Sequence, residues 1–168
     1  QHYGLAMKWV PSQPCVTVRR GRSLGARGKG LHLSYRSLPT SDIHGWITTP
    51  LRTVLDCAAT LPFDEALTIA DSALRDRKIT RAQLIDRAAT WPTRGRQRVL
   101  RVAAHADPRA SGPIESVLRA ICLEIPGLRV TAQVRIERSA RFLALVDLAD
   151  ERLRIVIEAE GFEFHGDR

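Results

Sequence analysis

Hydrophobic positions change their period twice along the chain. Over residues 15 to 49, the short alternating runs "CVTVRRG", "GLHLSYR" and "GWITT" are separated by Gly, Ser and Pro, which predicts small antiparallel strands. From residue 49 the spacing becomes that of a helix. Thr49 offers a cap, Pro50 suits the first helical position, and Leu51, Val54, Leu55, Ala58 and Ala59 recur on one face. Phe63, Ala66, Leu67, Ala70 and Leu74 repeat the pattern in a second helix. Thr80 and Gln83 make a capping box for a third, with Leu84, Ile85 and Ala88 inward. A fourth, rich in Arg, is expected from about Arg94 to His105.

The segment "ADPRASGP" at 106–113 has the Pro and Gly content of a junction. Beyond it, "PIESVLRAICLEI" predicts an amphipathic helix with Ile114, Val117, Leu118, Ile121, Cys122 and Ile125 on one stripe. Three β-like runs follow, "RVTAQVRIE", "RFLALVDLA" and "LRIVIEAE". With a turn at Glu151 to Arg154, Asp147 falls opposite Glu158, at a Cβ separation of roughly 5 Å. One face, Ala144, Val146, Leu148, Ile155 and Ile157, is apolar and is expected to pack on the preceding helix; the other carries Asp147, Glu158 and Glu160. Like charges so placed need compensation, and a divalent cation is the candidate. The pattern is that of an α+β protein: a small strand-plus-helix N-terminal region over 1–106, then an α-β-β-β unit over 107–168.

Composition changes this picture in three respects. A hydrophobic share of 44% with no long apolar run excludes a helical membrane span, so no membrane partner is expected. The three cysteines, Cys15, Cys57 and Cys122, form neither a CxxC pair nor an even framework, and are expected to be reduced, mostly buried thiols of a cytoplasmic protein. With no signal-peptide pattern and Gln1 in first position, the chain is expected to be a processed or excised piece. Aromatics are sparse, so stacking is not expected to dominate any binding.

The net charge of +8 is uneven: residues 1–106 hold 17 Lys and Arg against 7 Asp and Glu, a balance of +10, whereas 107–168 hold 9 against 11, or −2. A basic surface beside a cation-holding site fits DNA as partner. Arg19, Arg20, Arg22, Arg27 and Lys29 would be a phosphate-contacting loop, and Arg94, Arg96, Arg98 and Arg101 a basic helix face. An ordinary solvated surface is the alternative for both. Nothing in either segment reads a base sequence.

A helix-borne Glu, then a strand Asp, then a strand ending in E-x-E resembles the PD-(D/E)XK nuclease superfamily, and within it the Vsr-like endonuclease-type domains. Over 111–168 the matching residues are Glu115, Gln133, Asp147, "EAEG" at 158–161 and His165. Residues 15 to 105, above all "TTPLRTVLDCAATLPFDEALTIADSALR", are similar to the AbiEi-like antitoxin-type region. The family fold, α-β-β-β-α-β, implies a truncated restriction-endonuclease-like core here, without the last helix and strand. Glu160 stands where the family usually has Lys. A weak or inactive nuclease is therefore expected of this chain, with residues past about Gly161 mobile and with the third strand exposed as an edge through which a homodimer could pair.

The resemblance implies Glu115, Asp147, Glu158, Glu160 and His165 as catalytic residues, and Asp147 and Glu158 as ligands of Mg²⁺ or Mn²⁺, with the Ala159 carbonyl a further donor. Such a metal stabilises charge on a scissile phosphate and lowers the pKa of an attacking water. Glu160 or His165 would orient or deprotonate that water, or protonate the leaving oxygen; an imidazole, ordinarily titrating near 6.5, suits neutral pH. Each residue also has a plainer role open to it. Glu115 could serve its helix dipole, Asp147 could pair with Arg154 or Arg135, and Glu158, Glu160 and His165 could be solvated. Two functions thus compete, a Mg²⁺-dependent endonuclease and a non-enzymatic nucleic-acid-binding or antitoxin-type regulator. A protein-interaction module ranks third, because no exposed apolar stripe stands out in the sequence.

Overall fold

The computed structural model describes residues 2–139 and 141–159. Its order is β1 (Cys15–Val18), β2 (His32–Tyr35), β3 (Ile43–His44), β4 (Ile47–Thr48), α1 (Pro50–Thr60), α2 (Phe63–Arg75), α3 (Arg81–Ala89), α4 (Arg96–His105), α5 (Pro113–Cys122), β5 (Thr131–Arg138), β6 (Arg141–Asp150) and β7 (Ile155–Ile157). The class is α+β, with small sheets at both ends of a helical middle. Among the described residues no helix is long and apolar enough to cross a membrane.

Local chemistry sets the helix starts. The Thr49 hydroxyl accepts the Arg52 N–H at 3.3 Å ahead of Pro50, and Thr80 with Gln83 closes a reciprocal capping box. Gly95, at φ 79°, caps α4 so close to α1 that a Cβ there would sit 3.1 Å from the Ala59 carbonyl oxygen, so only glycine fits. The backbone of α1 at Ala59 thereby lies close against the start of α4.

The first sheet departs from expectation. β1 and β2 pair parallel, Cys15 with His32 through Val18 with Tyr35. The connection over 19–31, with a 3-10 turn at Gly25–Gly28, is long enough to cross over and return in the same direction, which a tight hairpin cannot do. β3 and β4 do form an antiparallel hairpin.

α2 is the central helix. From Ala66 to Leu74 every residue is buried, polar Thr68, Asp71 and Ser72 included, because α1, α4 and α5 surround it. A one-sided stripe was expected there. The helical core gathers Val54, Leu55, Leu67, Ala70, Leu84, Val99 and Val102, with Ala120 of α5 joining it. Ile85 of α3, expected inward, is instead exposed.

β5, β6 and β7 form an antiparallel sheet in that order. Beneath it Cys122 of α5 packs with Ala132 and Leu148, flanked by Leu118 and Ile157. α5 is therefore shared by two cores. Its orientation differs from the stripe the sequence predicted: Ser116, Arg119, Ala120 and Cys122 are buried, while Ile114, Ile121 and Ile125 are exposed. The cause is Asp71 of α2, fully buried, whose two carboxylate oxygens accept from Arg119 Nη2 at 2.6 and 2.7 Å, with the Ser116 hydroxyl donating at 2.8 Å. The buried ion pair turns the helix, and hydrophobicity alone could not foresee it. Ile114, Ile121 and Ile125 thus leave an exposed apolar stripe where the sequence suggested none, and in the sheet Ile155, expected to pack on α5, is exposed, as are Leu143, Leu145 and Val156 on the opposite face.

Of the thiols, Cys15 is exposed, against expectation, while Cys57 is half-buried and Cys122 buried, and none of the three is in a disulfide. Burial pushes the Cys57 thiol up to about 12, so it stays protonated at neutral pH.

Candidate functional site

The acids meet where the three-stranded sheet approaches the N-terminal end of α5. β6 and β7 pair Leu148 with Ile157 and Asp150 with Ile155 across a turn at 151–154. One step further on, the same register sets Asp147 opposite Glu158. There the backbone ladder stops and side chains replace it. The Asp147 N–H donates to Glu158 Oε2 at 3.2 Å, and the Ala159 N–H donates to Asp147 Oδ2 at 2.9 Å. Asp147 is half-buried and Glu158 exposed.

Glu115 joins them through β5. It stands in the first turn of α5, 8% exposed, and its carboxylate accepts the N–H of Ser111 at 2.9 Å and the Ser111 hydroxyl. The carboxylate stands at the positive end of the helix dipole, as the plainer role required, and its bonds to Ser111 reach back past the Gly112 cap to the residue before it. A second contact does not belong to capping. The Gln133 side-chain amide donates to Glu115 Oε2 at 3.0 Å and to Asp147 Oδ1 at 3.3 Å, tying helix to sheet. Gln133 has φ 53°, a left-handed conformation that costs a non-glycine residue roughly 1–3 kcal/mol. Its neighbours Ala132 and Val134 pair with Leu148 and Val146, but Gln133 itself leaves the ladder opposite Asp147.

Glu115, Gln133, Asp147 and Glu158 therefore form one chain of contacts. Among the described residues no Lys or Arg nitrogen pairs with any of the three carboxylates: the nearby Arg135 pairs with Glu137, and Arg152 with Asp150 at 3.5 Å. The pairing of Asp147 with Arg135 or Arg154 that the sequence left open is not made. Asp150, at the end of β6, belongs to the turn: it accepts the Arg129 and Leu153 N–H groups at 2.8 and 3.0 Å, which holds its carboxyl below the usual range.

Among the described residues no group of three or more His, Cys, Asp or Glu is placed to hold a metal ion. The donor chemistry still fits Mg²⁺, which is commonly held by one or two carboxylates and keeps several waters. Asp147 and Glu158 supply the two carboxylates. Half a turn of the Gln133 amide would exchange its donors for an acceptor oxygen facing the same space. Glu160, His165 and the segment past Gly161 lie outside the described residues.

The basic residues divide by use. Arg19, Arg20, Arg22, Arg27 and Lys29 lie on or beside the 19–31 crossover, all exposed, and none makes an ion pair among the described residues. On the fourth helix the expected basic face is partly spent within the fold. Arg96 donates to the carbonyls of Ala89 and Trp91, while Arg101 pairs with Glu124 and lies 3.8 Å over the Phe63 ring. Arg94 and Arg98 remain exposed without an ion pair among the described residues.

Two site residues escaped reasoning from chemistry. Ser111 and Gln133 are neutral, and neither spacing nor charge marks them; Gln133 stood only in the family pattern. In comparisons with known proteins, no family model, no curated protein and no solved structure matches the chain.

Proposed function

We propose that this chain is a cytoplasmic, Mg²⁺-dependent endonuclease-like protein that acts on DNA phosphodiester bonds, of the PD-(D/E)XK, Vsr-like kind, with an AbiEi-like region before it. The observation that carries this reading is that the Gln133 amide joins Glu115 to Asp147, whose own N–H meets Glu158, with no Lys or Arg paired to the three carboxylates among the described residues, in a chain of net charge +8. Among the described residues, a protein with Arg to spare gives these acids neutral hydrogen-bond donors but no cationic partner, which leaves their charge available to a bound cation.

In this reading Asp147 and Glu158 hold Mg²⁺ or Mn²⁺, which supplies charge stabilisation at the phosphate and a more acidic water. Gln133 holds Glu115 and Asp147 in fixed relation, and the Ser111 N–H and hydroxyl fix the second side of Glu115. The exposed crossover arginines hold the DNA backbone. A homodimer along β7, where Ile155 and Val156 are exposed, belongs to the same proposal.

One observation favours the second reading, a non-enzymatic nucleic-acid-binding or antitoxin-type regulator. Protein donors from Ser111, Gln133, Asp147 and Ala159 already serve the three carboxylates without a metal. Plasmid nicking in Mg²⁺ or Mn²⁺ decides, run beside Asp147→Asn and Glu158→Gln with Mn²⁺ binding measured by calorimetry. The nuclease reading expects nicking and Mn²⁺ binding in the parent, with both falling to background in each variant. Equal background in all three proteins leaves the regulator.

A further inference from the structure

Trp46 is 88% exposed at the tip of the β3–β4 hairpin, a costly place for the largest apolar side chain. The hairpin turn is Gly45–Trp46, with His44 paired to Ile47 and Gly45 at φ 61°. Such a tip would ordinarily wander. Here its base is fixed from three sides. Asp42, buried just before β3, accepts Arg52 at 2.9 Å and Arg87 at 2.8 and 3.0 Å. Its carbonyl accepts the Thr49 N–H at 2.9 Å, and the Tyr3 hydroxyl donates to the Thr48 carbonyl at 2.7 Å. The His2 ring stands at 66° to the indole, with ring centres 6.2 Å apart.

The arginine-bearing crossover is mounted on the same helix. Immediately after its flanking strand β2, Arg36 pairs with Asp56 of α1 at 2.5 Å, and Asp56 also holds Arg52 at 3.0 Å. The hairpin and the crossover are thus anchored one turn of α1 apart, the first through Arg52 and the second through Asp56. A protein-binding tryptophan sits inside an apolar pad. The apolar residues of the same hairpin are only Ile43, 39% exposed, and half-buried Ile47, while Gly45, His44 and the His2 ring also border Trp46, within a region of charge balance +10.

We propose that Trp46 is a base-stacking residue: the fixed hairpin presents its indole to an unpaired nucleic-acid base, while Arg19, Arg20 and Arg22 hold the adjoining phosphates. This rests on nucleic acid being the partner, as in the reading above. Every base has a π-face, so stacking is tolerant of sequence, in keeping with the lack of a base-reading motif.

The test uses the full chain with a fluorescent 20-nucleotide oligo(dT), a blunt 20-base-pair duplex, Trp46→Ala, Trp46→Phe and an Arg19/Arg20/Arg22→Ala triple variant. Anisotropy gives affinity, and the part of the intrinsic-fluorescence change lost in Trp46→Ala reports this indole among the three tryptophans. The parent is expected to bind oligo(dT) with quenching. Trp46→Ala weakens that binding by about 10-fold and removes most of the quench without changing the salt slope, and Trp46→Phe restores most of the affinity. The duplex, which offers no unpaired base, shows little difference between parent and Trp46→Ala. The triple variant loses affinity and flattens the salt slope while its complexes keep the quench. A melting temperature unchanged in Trp46→Ala excludes misfolding as the cause. Binding by Trp46→Ala within twofold of the parent overturns the proposal and leaves DNA binding standing. Loss of self-association, with oligo(dT) binding kept, overturns it in favour of a protein contact. No binding by the parent at any salt overturns both this proposal and DNA as the partner.

Discussion

Gln133 carries most of the site's architecture, yet no ionisable group draws attention to it. Its amide spans two carboxylates, and its left-handed backbone is the distortion that takes it out of the ladder. Replacing it by Leu keeps the side chain's bulk and removes both bonds, so Mn²⁺ affinity read by calorimetry should fall by about 10- to 100-fold. Replacing it by Gly relieves the backbone, and should be better tolerated in a thermal melt without recovering that affinity. A Leu variant that binds Mn²⁺ as the parent does would confine Gln133 to a structural tie. At this scale the sequence revealed Asp147 and Glu158, because a turn centred between them dictates their pairing. It hid the bend at Gln133, since Gly or Asn would have signalled a positive φ and Gln does not. It hid the service of Arg96 to two carbonyls for a similar reason: a surface arginine and a capping arginine look alike in one dimension.

Elements were legible as elements and less so as neighbours. The starts of α1 and α3 followed from their caps, and the pairing of β6 with β7 from the turn at 151–154. The parallel pairing of β1 with β2 did not follow, because the Gly-rich run over 19–31 reads as turns and not as a crossover, and the orientation of α5 did not, because it depends on a partner distant in sequence. For α5 the partner is Asp71. Arg119→Ala leaves that carboxylate buried without its cation and should cost about 3–5 kcal/mol in urea melts. The double change Asp71→Leu with Arg119→Met removes both charges and should cost far less, or even stabilise. Equal losses in the two proteins would show that the geometry of the pair, and not its charge, holds α5 in place.

Across the whole molecule the uneven charge was plain in the sequence, whereas which cations are free and which are engaged emerged only from the fold. Acid tolerance also belongs to this scale. Lys8 beside Asp64, at 2.5 Å, holds that carboxyl below its ordinary 3.8, and backbone N–H groups do the same for Asp150. Carboxyls lowered in the folded state contribute stability above their unfolded value and lose it as pH falls through the folded one. Urea melts should therefore show stability dropping below about pH 4. Asp150→Asn should be less stable than the parent at pH 7 and converge with it in acid; a constant gap between them would place the effect elsewhere. The sharing of α5 bears on how such a chain can be cut and recombined. A graft cut at 106–112 would divide the sequence cleanly, but it would strip the helical half of the guanidinium that answers Asp71 and leave Arg119, on the sheet half, without its carboxylate. A transplant boundary that keeps both halves whole must carry α2 along with α5.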